Sequence, residues 1–158
     1  MGIKNHQPAV AGQLGCIADV DGPPASQDLG ATGGRIRVLC VDDAIDLADL
    51  LTRIVRAEPD LETVGALYSA QNLVDEALLC RAEVVVLDLT MPGPSPMIAI
   101  RDISTQIPRC RVIAYSGYDD AETERASLRA GAFAMVSKHG GSASILRAIR
   151  KAGSAARA

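Results

Sequence analysis

Short apolar runs and amphipathic segments alternate five times along the chain, beginning at Arg35. Apolar runs of about four to eight residues are typical of buried strands, whereas apolar residues spaced at i, i+3, i+4 and i+7 are typical of a helix that packs on one side. The predicted strands are Arg35–Val41, Leu61–Leu67, Glu83–Leu87, Cys110–Tyr115 and Ala132–Val136. The predicted helices are Ala44–Glu58, Ser69–Arg81, Pro96–Ile107, Asp120–Ala130 and Ser142–Ala152.

Alternating strands and helices with short connections predict an α/β fold, a doubly wound five-stranded parallel sheet. The continuous apolar run Glu83–Leu87 supports this, because strands of such sheets are covered on both faces. We expect one domain over residues 35–152. Seven of the chain's 14 glycines lie in residues 1–34, where no period persists, so we expect a disordered tail there and a short C-terminal tail at 153–158.

Composition narrows the possible partners. A net charge of −3 gives no bulk electrostatic reason to bind nucleic acid, and no apolar run reaches the length of a membrane span. Leu14-Gly15-Cys16 resembles a lipoprotein cleavage site but lacks the preceding apolar stretch, so we expect a cytoplasmic protein. After Glu124 every charged residue is basic, which favours an acidic protein as downstream partner.

Polar side chains stand at four of the predicted strand ends. Asp42 and Asp43 follow the first strand, Asp88 the third, Ser116 the fourth, and the fifth strand runs towards Lys138. Ligands of such sheets bind beyond the carboxyl ends of the strands. Clustered carboxylates repel one another unless a cation shares the site, and hard oxygen ligands without His or Cys select Mg²⁺. A carboxylate beside Mg²⁺ can attack a phosphoryl group.

These residues resemble the receiver domain of two-component response regulators. The resemblance rests on VLCVDDA, VVLDLTMPG, VIAYSGYDD and GAFAMVSK and covers about Arg35 to Ala152; it is strongest to receivers that precede helix-turn-helix output domains. It implies the (βα)5 flavodoxin-like receiver fold and a stand-alone phosphorylation switch. It also implies that Asp88 is the phosphoacceptor, that Asp42, Asp43, Asp88 and the backbone carbonyl of Thr90 bind Mg²⁺, and that Ser116 and Lys138 contact the phosphoryl group.

The resemblance further implies the protein's partners. A sensor histidine kinase or phosphotransfer protein supplies the phosphoryl group, and the chain is a monomer or a phosphorylation-dependent dimer. We expect no activity beyond Mg²⁺-dependent phosphorylation and dephosphorylation of the chain itself, and no direct binding of nucleic acid or membrane. Without a recognition helix, we expect Gly117–Ala130 to be the responsive surface, because Leu128 is the only large apolar residue between Asp119 and Gly131.

Three positions depart from the family pattern. Met135 stands where a switch aromatic is expected, with Phe133 two residues earlier as a partial substitute. Pro96 replaces a glycine and suits a helix start. His139 replaces the proline after Lys138, so a cis peptide is not expected there.

Three alternative functions remain to be weighed. An aspartate-dependent phosphatase or phosphotransferase would carry D-x-D-x-T, whereas the chain has Asp42-Asp43-Ala44-Ile45. A flavodoxin-like cofactor binder would need a Ser/Thr/Gly phosphate loop, and an aspartate pair at that place repels phosphate. A degenerate receiver, acting as an unphosphorylated interaction scaffold, is favoured by Met135 but opposed by the intact acidic residues, Ser116 and Lys138.

Overall fold

The computed structural model describes residues 34–158, so the tail expected at 1–34 lies outside the described residues except for Gly34. Within this range five strands alternate with five helices. The strands are β1 (Ile36–Val41), β2 (Leu61–Leu67), β3 (Val84–Asp88), β4 (Arg111–Ser116) and β5 (Ala134–Ser137). The helices are α1 (Ile45–Arg56), α2 (Leu73–Leu79), α3 (Pro96–Gln106), α4 (Ala121–Ala130) and α5 (Gly141–Arg157).

The strands form one parallel sheet in the order β2-β1-β3-β4-β5. The chain reverses its winding direction between β1 and β3, and this is where ligands of open α/β sheets bind. The predicted fold class is therefore confirmed, and its ligand-binding crevice falls between the ends of β1 and β3.

Two apolar cores lie on opposite faces of the sheet. One joins the sheet to α1 and α5 and includes Val55 and Ile149. The other joins it to α2 and α3 and includes Leu73 and Ile103. Side chains on neighbouring positions of a strand point to opposite faces, so the buried strands supply both cores.

The second helix is shorter than predicted. We expected it to span Ser69–Arg81, but α2 begins at Leu73. The Ser69 hydroxyl accepts a bond from the Gln71 amide, which closes a turn, and Asn72 has a left-handed backbone (φ 58°) that a helix cannot continue through.

Asp120, predicted as the first residue of the fourth helix, is its N-cap and accepts a bond from the Thr123 amide at 2.8 Å.

The last helix is longer than predicted. We expected it to end at Ala152 with a tail at 153–158, but α5 continues to Arg157. Gly153 does not break it, because the helix packs so closely on β1 that a Cβ there would lie 2.6 Å from Ile36 Cδ1. The Arg157 guanidinium donates to both Glu83 carboxylate oxygens and to the carbonyls of Gly34 and Arg35, the latter two at 2.7 Å. The beginning and the end of the domain are therefore bound together.

The cysteines of the described residues are structural. Cys40, Cys80 and Cys110 are buried and form no disulfide. Burial raises the pKa of the Cys40 and Cys110 thiols to about 12, so both stay protonated. Between Gly34 and Ala158, none of the helices has both the length and the apolar character that crossing a bilayer requires.

Candidate phosphorylation site

Backbone hydrogen bonds join the carboxyl-terminal ends of neighbouring strands. The Asp42 amide donates to the Leu67 carbonyl at 3.0 Å, the Leu89 amide to Tyr115 at 3.1 Å, and the Lys138 amide to Ser116 at 2.7 Å. Each bond joins the end of one strand to the end of its neighbour. The polar side chains that follow these strands therefore share one edge of the sheet.

Asp42 and Asp88 are buried and fully oriented. One Asp42 carboxylate oxygen accepts from the Ala44 amide at 2.9 Å, and the other accepts from Lys138 Nζ at 2.8 Å. Asp88 Oδ1 accepts from the Thr90 amide at 3.0 Å and from Thr90 Oγ1 at 2.9 Å. Lys138 Nζ also lies 3.2 Å from Asp88 Oδ1, so one ammonium bridges the two carboxylates.

Burial alone would lower the pKa of Lys138, but the hydrogen bond that Lys138 donates to Asp42 and the negative charge of Asp88 outweigh it and hold the pKa above its ordinary value. The lysine is therefore a permanent cation in this pocket. A largely buried salt bridge of this kind needs good geometry to offset the desolvation of its charges, and the bridging position of the ammonium supplies it.

The exposed Asp43 completes a cluster of three acids. One carboxylate oxygen from each of Asp42, Asp43 and Asp88 lies within 4.8 Å of the others. This spacing and the all-oxygen donor set fit a hard divalent cation such as Mg²⁺. With one ammonium against three carboxylates, the cluster carries an excess of two negative charges if all are ionised, which a divalent cation would neutralise.

Three further predicted positions lie on or beside β4 and β5. Ser116 is buried at the end of β4, and its hydroxyl accepts a bond from the Tyr118 amide at 3.0 Å. Met135 lies on β5 opposite Ala114 and packs against the core on the α2–α3 face. Phe133 precedes β5 and is exposed, so it does not take the place of a buried aromatic. A metal contact from the Thr90 carbonyl stays a prediction.

Two residues of the pocket were missed as functional groups. Only the backbone carbonyl of Thr90 was predicted to take part, yet the Thr90 hydroxyl contacts both oxygens of Asp88, at 2.9 and 3.2 Å. A Thr two residues after an Asp often bonds back to it, so this contact had a local signal. The Tyr115 ring, whose centroid lies 5.6 Å from Lys138 Nζ, had none, because the contact depends on the pairing of β4 with β5.

Comparison with known proteins places these features in a family. The family model of the response regulator receiver domain matches residues 38–150. A protein-glutamate methylesterase/protein-glutamine glutaminase from Myxococcus xanthus is 35% identical over 104 residues, 65% of this chain and 30% of the relative. One from Pyrococcus abyssi is 34% identical over 116 residues, 72% of this chain and 31% of the relative. The chain thus spans about a third of the length of these relatives.

Solved structures agree with the fold. The response regulator domain of CheB from Thermotoga maritima is 29% identical, with a TM-score of 0.69 over 76% of this chain and 97% of that domain. The signal receiver domain of NarL from Mycobacterium tuberculosis is 20% identical. Its TM-score is 0.72 over 77% of this chain and 98% of that one, which is a likeness of fold.

Proposed function

Because the chain belongs to the response regulator receiver family, whose general function is a phosphorylation-driven switch, we propose that Asp88 is its phosphoacceptor. The observation that carries this proposal is the bridging ammonium: Lys138 Nζ lies 3.2 Å from Asp88 Oδ1 and 2.8 Å from Asp42 Oδ2. Lys138 thereby stands beside the reacting carboxylate with a positive charge that a transferred phosphoryl group requires.

In this proposal Asp42, Asp43 and Asp88 hold a Mg²⁺ ion, together with the carbonyl of Thr90. When bound, Mg²⁺ supplies the charge neutralisation that lets an anionic carboxylate approach an anionic phosphoryl group. The chain's own groups do the positioning. The Thr90 amide and hydroxyl fix the rotation of the Asp88 carboxylate, and Ser116, one residue beyond the strand pair of Asp88, donates its hydroxyl to the phosphoryl oxygens.

The phosphodonor is a histidine kinase or a phosphotransfer protein that docks on α1. Three large apolar side chains at the start of this helix are exposed: Ile45 by 57%, Leu47 by 45% and Leu50 by 53%. Ile45 follows Asp42 by three residues, so this apolar surface begins at the mouth of the acidic pocket. A protein bound there brings its phosphohistidine to Asp88, where the N–P bond breaks as the new O–P bond forms.

A downstream partner with acidic groups would bind on the side of α4 and α5. Arg150 and Arg157 are already paired with acids of the domain, and Lys138 lies in the pocket. Among the residues from Gly34 onward, Arg125, Arg129, Arg147 and Lys151 are exposed and form no ion pair within the domain. These four cations are available for recognition of a partner.

The test is labelling with a small acyl phosphate and Mg²⁺. We expect one phosphoryl group per chain, labile in the manner of an acyl phosphate, and complete loss of labelling in Asp88→Asn. Asp102→Asn, which makes the same change on α3 outside the pocket, should label normally. Full labelling of Asp88→Asn would contradict the assignment of the acceptor.

The same test addresses the scaffold alternative. An unphosphorylated scaffold would have no need of a lysine bridging two buried carboxylates, and a protein that takes up no phosphoryl group under these conditions would favour that alternative over the switch.

A further inference from the structure

The Tyr115 ring is the third group in contact with the Lys138 ammonium. The ammonium has three N–H donors, and the carboxylates of Asp42 and Asp88 account for two directions. The ring centroid lies 5.6 Å from Nζ, within the range in which an aromatic face attracts a cation. Burial raises the pKa of the Tyr115 hydroxyl, so the ring stays neutral.

The backbone fixes the position of this ring. Tyr115 pairs with Asp88 on one side and with Val136 on the other. Its carbonyl accepts the Leu89 amide at 3.1 Å, directly after the proposed acceptor. The ring itself packs against the core that joins the sheet to α1 and α5. The pairing fixes the backbone of Tyr115, and packing against this core holds its ring on that face of the sheet.

The other two partners of Lys138 change during the proposed reaction. A bound metal ion would compete for Asp42, and phosphorylation would convert the Asp88 carboxylate into an acyl phosphate whose charge lies farther out. The ring is the one partner that the chemistry leaves unaltered. Resting on the proposed function, we propose that Tyr115 is a positioning residue that keeps the Lys138 ammonium in the pocket while its carboxylate partners are exchanged.

The surroundings strengthen this contact. Tyr115 and Lys138 line a cavity of about 100 Å³ whose remaining walls come from α1. Those walls are apolar: Leu47, Leu50, Leu51 and Ile54. The Lys138 side chain is only 16% exposed, so its ammonium is less hydrated than that of a surface lysine, which makes the attraction to the ring larger than at an open surface.

Three variants of Tyr115 distinguish the effect of the aromatic ring from the effects of the hydroxyl and of the side-chain volume. Tyr115→Phe keeps the aromatic face, whereas Tyr115→Leu and Tyr115→Met replace it with aliphatic groups of comparable packing. With a small acyl phosphate and Mg²⁺, we expect Tyr115→Phe to label at close to the normal rate and both aliphatic variants to label about five- to thirty-fold more slowly. Tyr68→Leu, the same change after the end of β2, is the matched control and should label normally.

A second readout does not depend on phosphoryl transfer. The chain contains three lysines, which makes their side-chain NMR signals separable. The Hε protons of Lys138 should be shifted upfield from those of the exposed Lys151 by the ring, equally so in Tyr115→Phe, and should move towards the Lys151 position in the aliphatic variants. The thermal midpoint of each variant shows whether it is still folded. Only a folded aliphatic variant is used to test the role of the Tyr115 ring.

The outcomes distinguish the two proposals. Normal labelling by a folded aliphatic variant, or equal slowing in Tyr115→Phe, would overturn the role of Tyr115 and leave the function of Asp88 standing. Failure of the unaltered protein to take up a phosphoryl group would overturn the proposed function and the role of Tyr115 with it.

Discussion

The centre and one margin of the sheet are built differently. In β3 every residue is buried, and β1 and β4 each leave only one or two partly exposed. In β5 every residue is partly exposed, and Ser127 is the only buried residue of the adjacent α4. The same fold thus combines tightly packed strands with a loosely packed strand–helix pair.

The reacting groups follow this division. Asp42, Asp88 and Ser116 belong to the packed centre, where burial and backbone bonds fix their positions. Segments with few buried apolar contacts open at lower free energy and suit elements that respond to a signal. The contrast indicates that the acids and Ser116 lie on the rigid part of the molecule, whereas the margin formed by α4 and β5 carries Lys138 and is the part suited to respond.

The largest expected effect concerns stability. Ile113 is fully buried in β4, whereas Leu128 on α4 is 43% exposed. Because a buried cavity adds to the lost burial, Ile113→Ala should lower the free energy of unfolding by about 2–5 kcal/mol, and Leu128→Ala by roughly 1 kcal/mol or less. Urea denaturation measures both values. Equal losses would mean that α4 is anchored as firmly as the central strands.

A smaller effect concerns the metal proposed at the packed edge. Asp43→Ala removes one of three clustered carboxylates, and the lost ligand should weaken Mg²⁺ binding by about 10–100-fold. Asp46→Ala removes the same charge from the first turn of α1, outside the cluster, and should leave the affinity nearly unchanged. Isothermal titration with Mg²⁺ compares the two. Equal affinities in the Asp43→Ala and unaltered proteins would remove Asp43 from the ligand set.

The smallest effect concerns the response. Addition of a phosphoryl mimic such as beryllofluoride with Mg²⁺ should change amide hydrogen exchange in residues 117–135 by roughly tenfold or less, while the slowly exchanging amides of β1 and β3 change little. We expect a modest change because Met135 gives the margin no large ring to move into a new position. Change confined to the centre, with residues 117–135 unaffected, would reverse the assignment of roles.

The strands could be predicted because the sequences of buried parallel strands are nearly continuous apolar runs. The two wrong helix ends had different causes, one tertiary and one local. Gly153 looks like a place where a helix stops, and only the close approach of α5 to Ile36 shows why it does not. The late start of α2 is local. Asn72 adopts a left-handed backbone conformation, which asparagine permits but does not require, so the helix begins only after it.

The acidic pocket could be predicted for a related reason. The carboxyl ends of parallel strands meet at one edge, so Asp42, Asp88 and Lys138 were expected to meet, and Lys138 Nζ lies within 3.2 Å of both carboxylates. Tyr115 packs against the core that joins the sheet to α1 and α5. Its contact with Lys138 follows from the register that places it beside Val136, and register is not readable from one strand alone.

The Arg157 contacts have a consequence for engineering. By binding Glu83 and the carbonyls of Gly34 and Arg35, Arg157 brings both ends of the domain to the amino-terminal edge of the sheet. That edge is separated from the acidic pocket by the length of a strand, about 20 Å for six residues. Neighbouring ends of this kind allow a domain to be inserted into a loop of a host protein or to be circularly permuted. A host protein joined at that edge would lie away from the acidic pocket. The domain would then be a phosphorylation-responsive module with two covalent attachment points.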